Sequence, residues 1–393
     1  MDFNLSEDQR ALQDAARRFA KSELTSLARD IEETGEPVSH DMLGRYSDMG
    51  FLGVNTREEH GGLGLSHLDA ILVLEEFAKI SVGVGFPVFE CNTGPIRMVE
   101  ALGSDALASR IVPQSVAGKM LVGISMSEPE AGTALTDLKT SARVDGDELV
   151  INGTKRWCSG AGHSEGYVVF CRFEGIPGAK GIGAVFVDRD SPGLTFGPQE
   201  TLMGFRGVPS ADMMFDAVRV PREHLIVEAG GFATLMGLFN LERLGNATMA
   251  LGVAAGAIDQ VTAYVQDRKQ FGKPIIDFQA VQLRLAEISI KVEAARLMIH
   301  RAAAGAGTGL PDSQEAAMAK CFANEITREV TATAMQLMGG YGYAREYEME
   351  RRLRDSYGWG IAGGAIDIQK VNIAAGLVGR RFDQRRSYDR CKP

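Results

Sequence analysis

Leu121–Glu128 reads LVGISMSE, and the hydrophobic pattern of the chain changes period there. From this point short β-rich runs follow one another: DELVINGTKRWCSG, GYVVFCRF, GIGAVFVDRD, GLTFG and ADMMFDAVRV, separated by Gly, Pro, Asp and Asn. Each run is rich in β-branched and aromatic residues, as strands are. Asp145-Gly146-Asp147 is a hairpin signal. Strands in series without helices between them predict a small antiparallel β-domain closed by Pro221. Upstream, residues 1–118 carry apolar residues at helical spacing. Ser6 caps the first helix, the pattern runs through Phe19 and Leu27, and it recurs over Met42–Met49 and Asp69–Lys79. Glu58–Leu65 is a glycine-rich connector. Downstream, from Ala229 to about Phe382, the period is helical again. The expected order is therefore α, β, α: an α+β protein with a helical domain (1–118), a β-domain (119–226) and a second helical domain (227–393).

Composition removes several classes of function. The chain has 393 residues and a net charge of −9, with both signs interspersed. No basic block is present to follow a phosphate backbone, so nucleic acid is not an expected partner. No run reaches the ~18 apolar residues of a membrane span. The start, MDFNLSEDQR, has neither secretory nor Arg-rich transit character, so a cytoplasmic protein or a mature organelle-matrix form is expected. Cys91, Cys158, Cys171, Cys321 and Cys391 are scattered and never spaced CxxC, which predicts reduced thiols. The histidines form no HExxH, so no metal site is expected. Gly305-Ala-Gly307-Thr-Gly309 superficially resembles a dinucleotide turn, but it follows a helix, and Leu310 stands where the last glycine belongs. It reads as an interhelix loop.

Leu235–Gly245, LMGLFNLERLG, begins a long amphipathic helix expected to run to about Gln270. Leu235, Leu238, Phe239, Glu242, Gly245 and Met249 share one face. All are apolar or glycine except Glu242. A carboxylate on such a stripe is either paired, with Arg243 or another cation, or raised in pKa and able to accept a proton.

Four motifs spread over more than half the chain narrow the reading. They are Glu128-Pro-Glu-Ala-Gly132-Thr133; Lys155-Arg-Trp157-Cys-Ser159-Gly-Ala-Gly162; Arg268-Lys-Gln-Phe271-Gly272-Lys with Phe278-Gln279; and Gln336-Leu-Met-Gly339-Gly340-Tyr-Gly-Tyr343. In this order and register the chain resembles the acyl-CoA dehydrogenase family, end to end. The resemblance implies an N-terminal helical domain, a middle antiparallel β-domain and a C-terminal four-helix bundle, with FAD between the last two. By that resemblance Ile124, Met126 and Ser127 contact the flavin, with Ser127 where a threonine is usual. Trp157 packs on the ring, unless it is simply β-domain core, and Ser159 hydrogen-bonds near N5. Arg268, Phe271, Gln279, Gln336, Gly339 and Gly340 map to the grip on a neighbouring subunit's FAD, which implies a dimer of dimers. Thr133, Phe239, Asn240 and Arg243 match CoA-binding positions, with Asn240 replacing a common aspartate. An electron-transfer flavoprotein is the implied electron acceptor.

Many members of that family carry the catalytic glutamate in a Tyr-Glu-Gly-Thr loop near the C-terminus. Here the loop reads Ile361-Ala-Gly363-Gly364-Ala365, with Gly363 at the base's position and Ala365 in place of the threonine. In a branch that includes isovaleryl-CoA dehydrogenases, the base stands instead in a Leu-Glu-Arg segment, matched here by Leu241-Glu242-Arg243. The resemblance thus nominates the residue that helical spacing singles out, and implies conversion of an acyl-CoA to the 2-enoyl-CoA with Glu242 as base. An enoyl-CoA reductase, a desulfinase-like lyase without net redox change and a non-catalytic flavoprotein are the rival readings. The missing side chain at Gly363 is expected to open volume beside the acyl group, with Trp359 and Tyr357 limiting its length. This favours a short branched or cyclic acyl chain. Glu90 maps to the wall or floor of the same cavity, either as hydrogen-bonded structure or facing a polar group or ring carbon of the substrate.

Overall fold

A computed structural model describes residues 4–380 and 382; Cys391, expected to be a free thiol, lies outside them. Seven helices come first: α1 Glu7–Phe19, α2 Thr25–Thr34, α3 His40–Asp48, α4 His67–Ile80, α5 Val82–Asn92, α6 Pro95–Leu102 and α7 Asp105–Val116. Ser6 and Gln9 close a reciprocal capping box on α1, and Ser66 and Asp69 do the same on α4. The sequence pattern did not resolve α5 to α7. Almost every residue of α5 is buried, so it has no polar stripe to set a period.

The β-domain comprises β1 Val122–Ser125, β2 Ser141–Asp145, β3 Glu148–Ser159, β4 Gly166–Phe173, β5 Ile182–Asp188, β6 Leu194–Phe196, β7 Ser210–Pro221 and β8 Leu225–Val227. Seven strands run in the order β6-β7-β3-β2-β4-β5-β8, and β1 pairs with β4. The β2–β3 hairpin turns at Gly146, whose φ of 65° suits glycine, and pairs Asp145 with Glu148. The pairings are antiparallel except β1–β4 and the short β2–β4 contact, which are parallel. β1 arrives from α7 already running in the direction of β4, so no hairpin joins them. Pro221 ends β7, but the Leu-Ile-Val triplet after it adds β8 to the edge of β5.

The C-terminal helices are α8 Phe232–Asp267, α9 Gln279–Ala306, α10 Ser313–Met338, α11 Gly340–Tyr343, α12 Met349–Trp359 and α13 Ile366–Val378. Helix α8 is the axis of the molecule and packs on α4, α9, α10 and α12. The expected amphipathic helix is here buried on all sides: from Phe239 to Ala257 only Arg243 is not fully enclosed. α4 covers the side that would otherwise face water. Gly252 allows that approach, since a Cβ there would lie 2.3 Å from the Ala78 Cβ. The chain leaves the helix at Arg268 for a two-stranded ribbon, β9 Lys269–Gln270 with β10 Lys273–Pro274, just short of the expected end. Of the expected loop Gly305–Gly309, Gly305 and Ala306 still belong to α9, and the connection to α10 runs over 307–312, where the His67 N–H and ring bond to the Gly307 and Gly309 carbonyls. Among the described residues no helix is long and apolar enough to cross a membrane, and no group of His, Cys, Asp or Glu could hold a metal ion.

Candidate active site

Glu242 lies one turn into the buried run of α8 and is 7% exposed. Arg243 does not neutralise it by a direct ion pair. The Arg243 guanidinium instead donates to Asn240 Oδ1 at 2.5 Å and sits 5.5 Å from the centre of the Phe239 ring. Glu242 Oε2 has no hydrogen-bond partner among the described residues. Burial raises the Glu242 pKa, against the opposing pull of Lys320 and Arg243. Among the described residues no cation makes direct ion-pair contact with Glu242; Lys320 and Arg243 act on it from farther off.

Three other elements converge on this carboxylate. The loop 361–365, between α12 and α13, brings Gly363 to it. A Cβ on Gly363 would lie 2.9 Å from Glu242 Oε1 and 2.9 Å from Lys320 Nζ. The space expected to be open there is filled by Glu242 and Lys320, so it cannot house an acyl branch. From α10, the buried Lys320 ammonium donates to the carbonyls of Ala362 (2.5 Å) and Gly363 (2.7 Å). From α5, Glu90 is buried with Oε2 unpartnered among the described residues. Burial, helped by the nearby Glu242 charge, holds the Glu90 carboxyl well above the usual range. That favours a neutral acid at this position.

Sequence reasoning missed Lys320. A signal was present: it is a lone cation among Ala316, Ala317, Ala319 and Ala323 on α10, all buried. The same argument singled out Glu242. Below the pair, Asn324 Nδ2 donates to Asn246 Oδ1 at 3.0 Å, and Asn246 Nδ2 donates to the Ala362 carbonyl at 3.3 Å. Trp359 is buried, against Phe205, Phe89 and Phe86 at ring separations of 4.7, 5.5 and 6.4 Å. Phe89 in turn closes on Gly245, one turn beyond Glu242. Tyr357 points outward, with the Arg328 guanidinium over its ring.

The residues matched to CoA binding are spread differently. Phe239 and Asn240 are buried, and Asn240 Nδ2 also donates to the Pro311 carbonyl at 3.3 Å. Thr133 is exposed, two residues past the Glu128–Ala131 bridge.

Two further clusters fit a dinucleotide. In the β-domain a register shift between Lys155 and Cys158 turns Trp157 out of the sheet, with φ at 62° and 53% of the residue exposed. It is not a core residue. The Arg156 guanidinium lies 4.2 Å from its ring centre. Beside it, Ser159 pairs with Ser210, and the Ser127 carbonyl accepts from Arg156 N at 2.9 Å. Ile124 and Met126 are half-buried. Lys155 holds this segment by donating to the Met126 carbonyl and to Glu128 Oε1. At the far end of the bundle, Arg268, Gly339 and Gly340 line a cavity of about 520 Å³ to which the β-domain contributes no lining residue. A Cβ on either glycine would touch nothing, so backbone there is open to a close approach. Phe271 is 92% exposed; Gln279 and Gln336 are exposed too.

Comparison with known proteins agrees with this architecture. The acyl-CoA dehydrogenase N-terminal domain matches residues 6–119, the middle domain 123–218 and the C-terminal domain 229–378. The chain belongs to the acyl-CoA dehydrogenase family. It has the fold of that family, which binds FAD. Among its relatives is a 3-sulfinopropanoyl-CoA desulfinase of Paraburkholderia xenovorans, 38% identical over 98% of this chain and 100% of that one. The probable acyl-CoA dehydrogenase FadE25 of Mycobacterium tuberculosis is 35% identical over 96% and 97%. Among solved structures, butyryl-CoA dehydrogenase from Megasphaera elsdenii superposes with a TM-score of 0.92 at 30% identity, covering 96% of this chain and all of that one. The acyl-CoA dehydrogenase family thus includes both dehydrogenases and a desulfinase near this chain.

Proposed function

We propose that the protein is an FAD-dependent acyl-CoA dehydrogenase in which Glu242 removes the α-proton of an acyl-CoA, giving the 2-enoyl-CoA. The observation that carries this reading is the Glu242 carboxylate itself, dry, raised in pKa and with one oxygen that has no hydrogen-bond partner among the described residues. A base at raised pKa is matched to its task near neutral pH. Ile124, Met126, Ser127, Trp157 and Ser159 would hold the flavin, and FAD when bound supplies the acceptor for the β-hydrogen as hydride. Exclusion of water by Phe89, Trp359 and the 361–365 loop strengthens every charge interaction at the site.

Arg268, Phe271, Gln279, Gln336, Gly339 and Gly340 would grip the FAD of a second subunit in a dimer of dimers, because the cavity that Arg268, Gly339 and Gly340 line shares no wall with the Trp157 cluster. Arg268→Ala is expected to lower FAD content and weaken assembly together. Absorbance ratio and sedimentation read both, and a fully loaded monomer would contradict the shared site. The electron acceptor would be an electron-transfer flavoprotein.

The acyl group fits a short class, because Phe89 and Trp359 close the side of α8 beyond Glu242; a branch or ring would lie away from Gly363, where Glu242 and Lys320 fill the space. A second reading, a desulfinase-like lyase, is favoured by the relative 38% identical to this chain. An enoyl-CoA reductase would use the same carboxyl as an acid. Anaerobic mixing of the yellow holoenzyme with isobutyryl-, isovaleryl- and cyclohexanecarbonyl-CoA, against butyryl-, octanoyl- and palmitoyl-CoA, separates these readings. Bleaching with formation of the 2-enoyl-CoA is expected, about tenfold faster or more for the first group, since one methylene in a fitted pocket counts for ~1–3 kcal/mol. No bleaching with any of these saturated thioesters leaves the other two readings: cleavage of an acyl-CoA that carries a sulfinate on its β-carbon, without bleaching, supports the lyase, and reoxidation of the reduced flavin by a 2-enoyl-CoA supports the reductase. Octanoyl- or palmitoyl-CoA ahead by the same margin removes the short-chain assignment.

A further inference from the structure

We propose that Lys320 is a positioning residue of this site: from one buried point it ties down the Ala362–Gly363 backbone and presents its ammonium to the Glu242 carboxylate. Three observations carry this. Lys320 Nζ donates to both loop carbonyls, at 2.5 and 2.7 Å. The same Nζ and both Glu242 carboxylate oxygens, at 2.9, 2.9 and 3.0 Å, surround the position a Gly363 Cβ would occupy, so cation and carboxylate face each other across the missing side chain. Lys320 and its surroundings on α10 are buried, so water screens the pair little.

The consequence concerns the charge state of Glu242. Facing it are Lys320 from α10, Arg243 on its own helix and Glu90 from α5; the 361–365 loop carries no charged side chain. Burial pushes Glu242 up and the two cations pull it down, while the Glu242 charge helps to hold Glu90 neutral. Lys320 is itself depressed to about 8 by burial, despite the Glu242 charge that favours its protonated form. Lys320 therefore favours the ionised form of Glu242, and does so less as it loses its own proton.

This proposal depends on Glu242 being the base, but its readout is the charge pair rather than turnover. Lys320→Met and Lys320→Gln remove the charge, and the glutamine amide still donates to the loop carbonyls. In either variant the carboxyl infrared band that Glu242→Gln abolishes is expected to titrate about one pH unit higher or more. The acid limb of flavin reduction should move with it, giving a rate about tenfold lower on that limb and convergence with wild type above about pH 8. Titration of the band at the wild-type pH in a folded, FAD-loaded variant overturns the proposal and leaves Lys320 a structural residue. The reciprocal measurement leaves Lys320 in place. In Glu242→Gln, the Cε resonance of 13C-labelled Lys320 should titrate at lower pH than in wild type, and an unchanged midpoint overturns the pairing. Loss of flavin reduction in Glu242→Gln with no change in Lys320 would sink this proposal alone. Retention of flavin reduction with a shifted Lys320 would sink only the assignment of the base.

Discussion

Gly363→Glu in the otherwise unchanged chain is expected to destabilise the protein by several kcal/mol and to release FAD on mild heating. Gly363 has φ of 63°, and a side chain there is strained by ~1–3 kcal/mol whatever its size. Its Cβ would press on Glu242 Oε1 and Lys320 Nζ, each at 2.9 Å, so the ends of both side chains would have to shift, and Lys320 would strain or lose its bonds to the Ala362 and Gly363 carbonyls. The new carboxylate would join Glu242 and Glu90, and a third acidic group in one dry space has only Lys320 and Arg243 to balance it. Removing Glu242 relieves the crowding and the excess acid, but not the strain at position 363. The double variant Glu242→Gly with Gly363→Glu should therefore be more stable than Gly363→Glu alone, a non-additivity that contact between the two sites requires. It should also regain part of the activity lost in Glu242→Gly, because the transplanted carboxylate starts beside the vacated one. Thermal melting and flavin fluorescence of the two single variants and the double read this directly. A double variant no more stable than Gly363→Glu would mean that crowding at Glu242 is not what keeps position 363 bare.

Much of this arrangement is legible in the sequence, and the part that is not has a physical cause. The strand runs from Leu121 to Val220 alternate or cluster with turn residues between them, and they become β1 and β3 to β7. Strand β2 is visible only through its hairpin signal, because Ser141–Asp145 is short and half exposed. Glu242 stands out as the one acid on an apolar stripe. The stripe is nonetheless only part of a helix buried all round, where Asn240, Asn246 and Thr248 are enclosed as well. Periodicity shows which face is apolar, not how many neighbours will cover the helix. Gly363 is the clearest failure. Its missing side chain suggests space, but residues 242 and 320 arrive from two other helices and fill it. Only the tertiary fold brings those three positions together. Trp157 shows the converse. Its place in a strand run allows a core residue, and a bulge turns it outward.

Glu242→Gln is expected to fold, bind FAD and bind CoA thioesters while losing the proton-transfer step. The amide keeps the size of the carboxylate. It removes a charge whose burial the fold only partly compensates, so stability should be unchanged or slightly higher. Loss of a positioned general base typically costs about 10²–10⁴-fold, and neither water nor Glu90 is placed to make up that factor. Water is largely excluded, and Glu90 is favoured in its neutral form. With intact Glu242 the rate should rise with pH as the carboxyl ionises, because burial has raised its pKa and the base form is the deprotonated one. The most direct measurement is deuterium uptake at the α-carbon of an acyl-CoA that bleaches the wild-type flavin, followed anaerobically in D₂O by mass spectrometry. Wild-type holoenzyme should exchange the α-hydrogen, and Glu242→Gln, equally loaded with FAD, should exchange it at least about a hundredfold more slowly. Exchange at close to the wild-type rate in Glu242→Gln would contradict the assignment of Glu242 as the base.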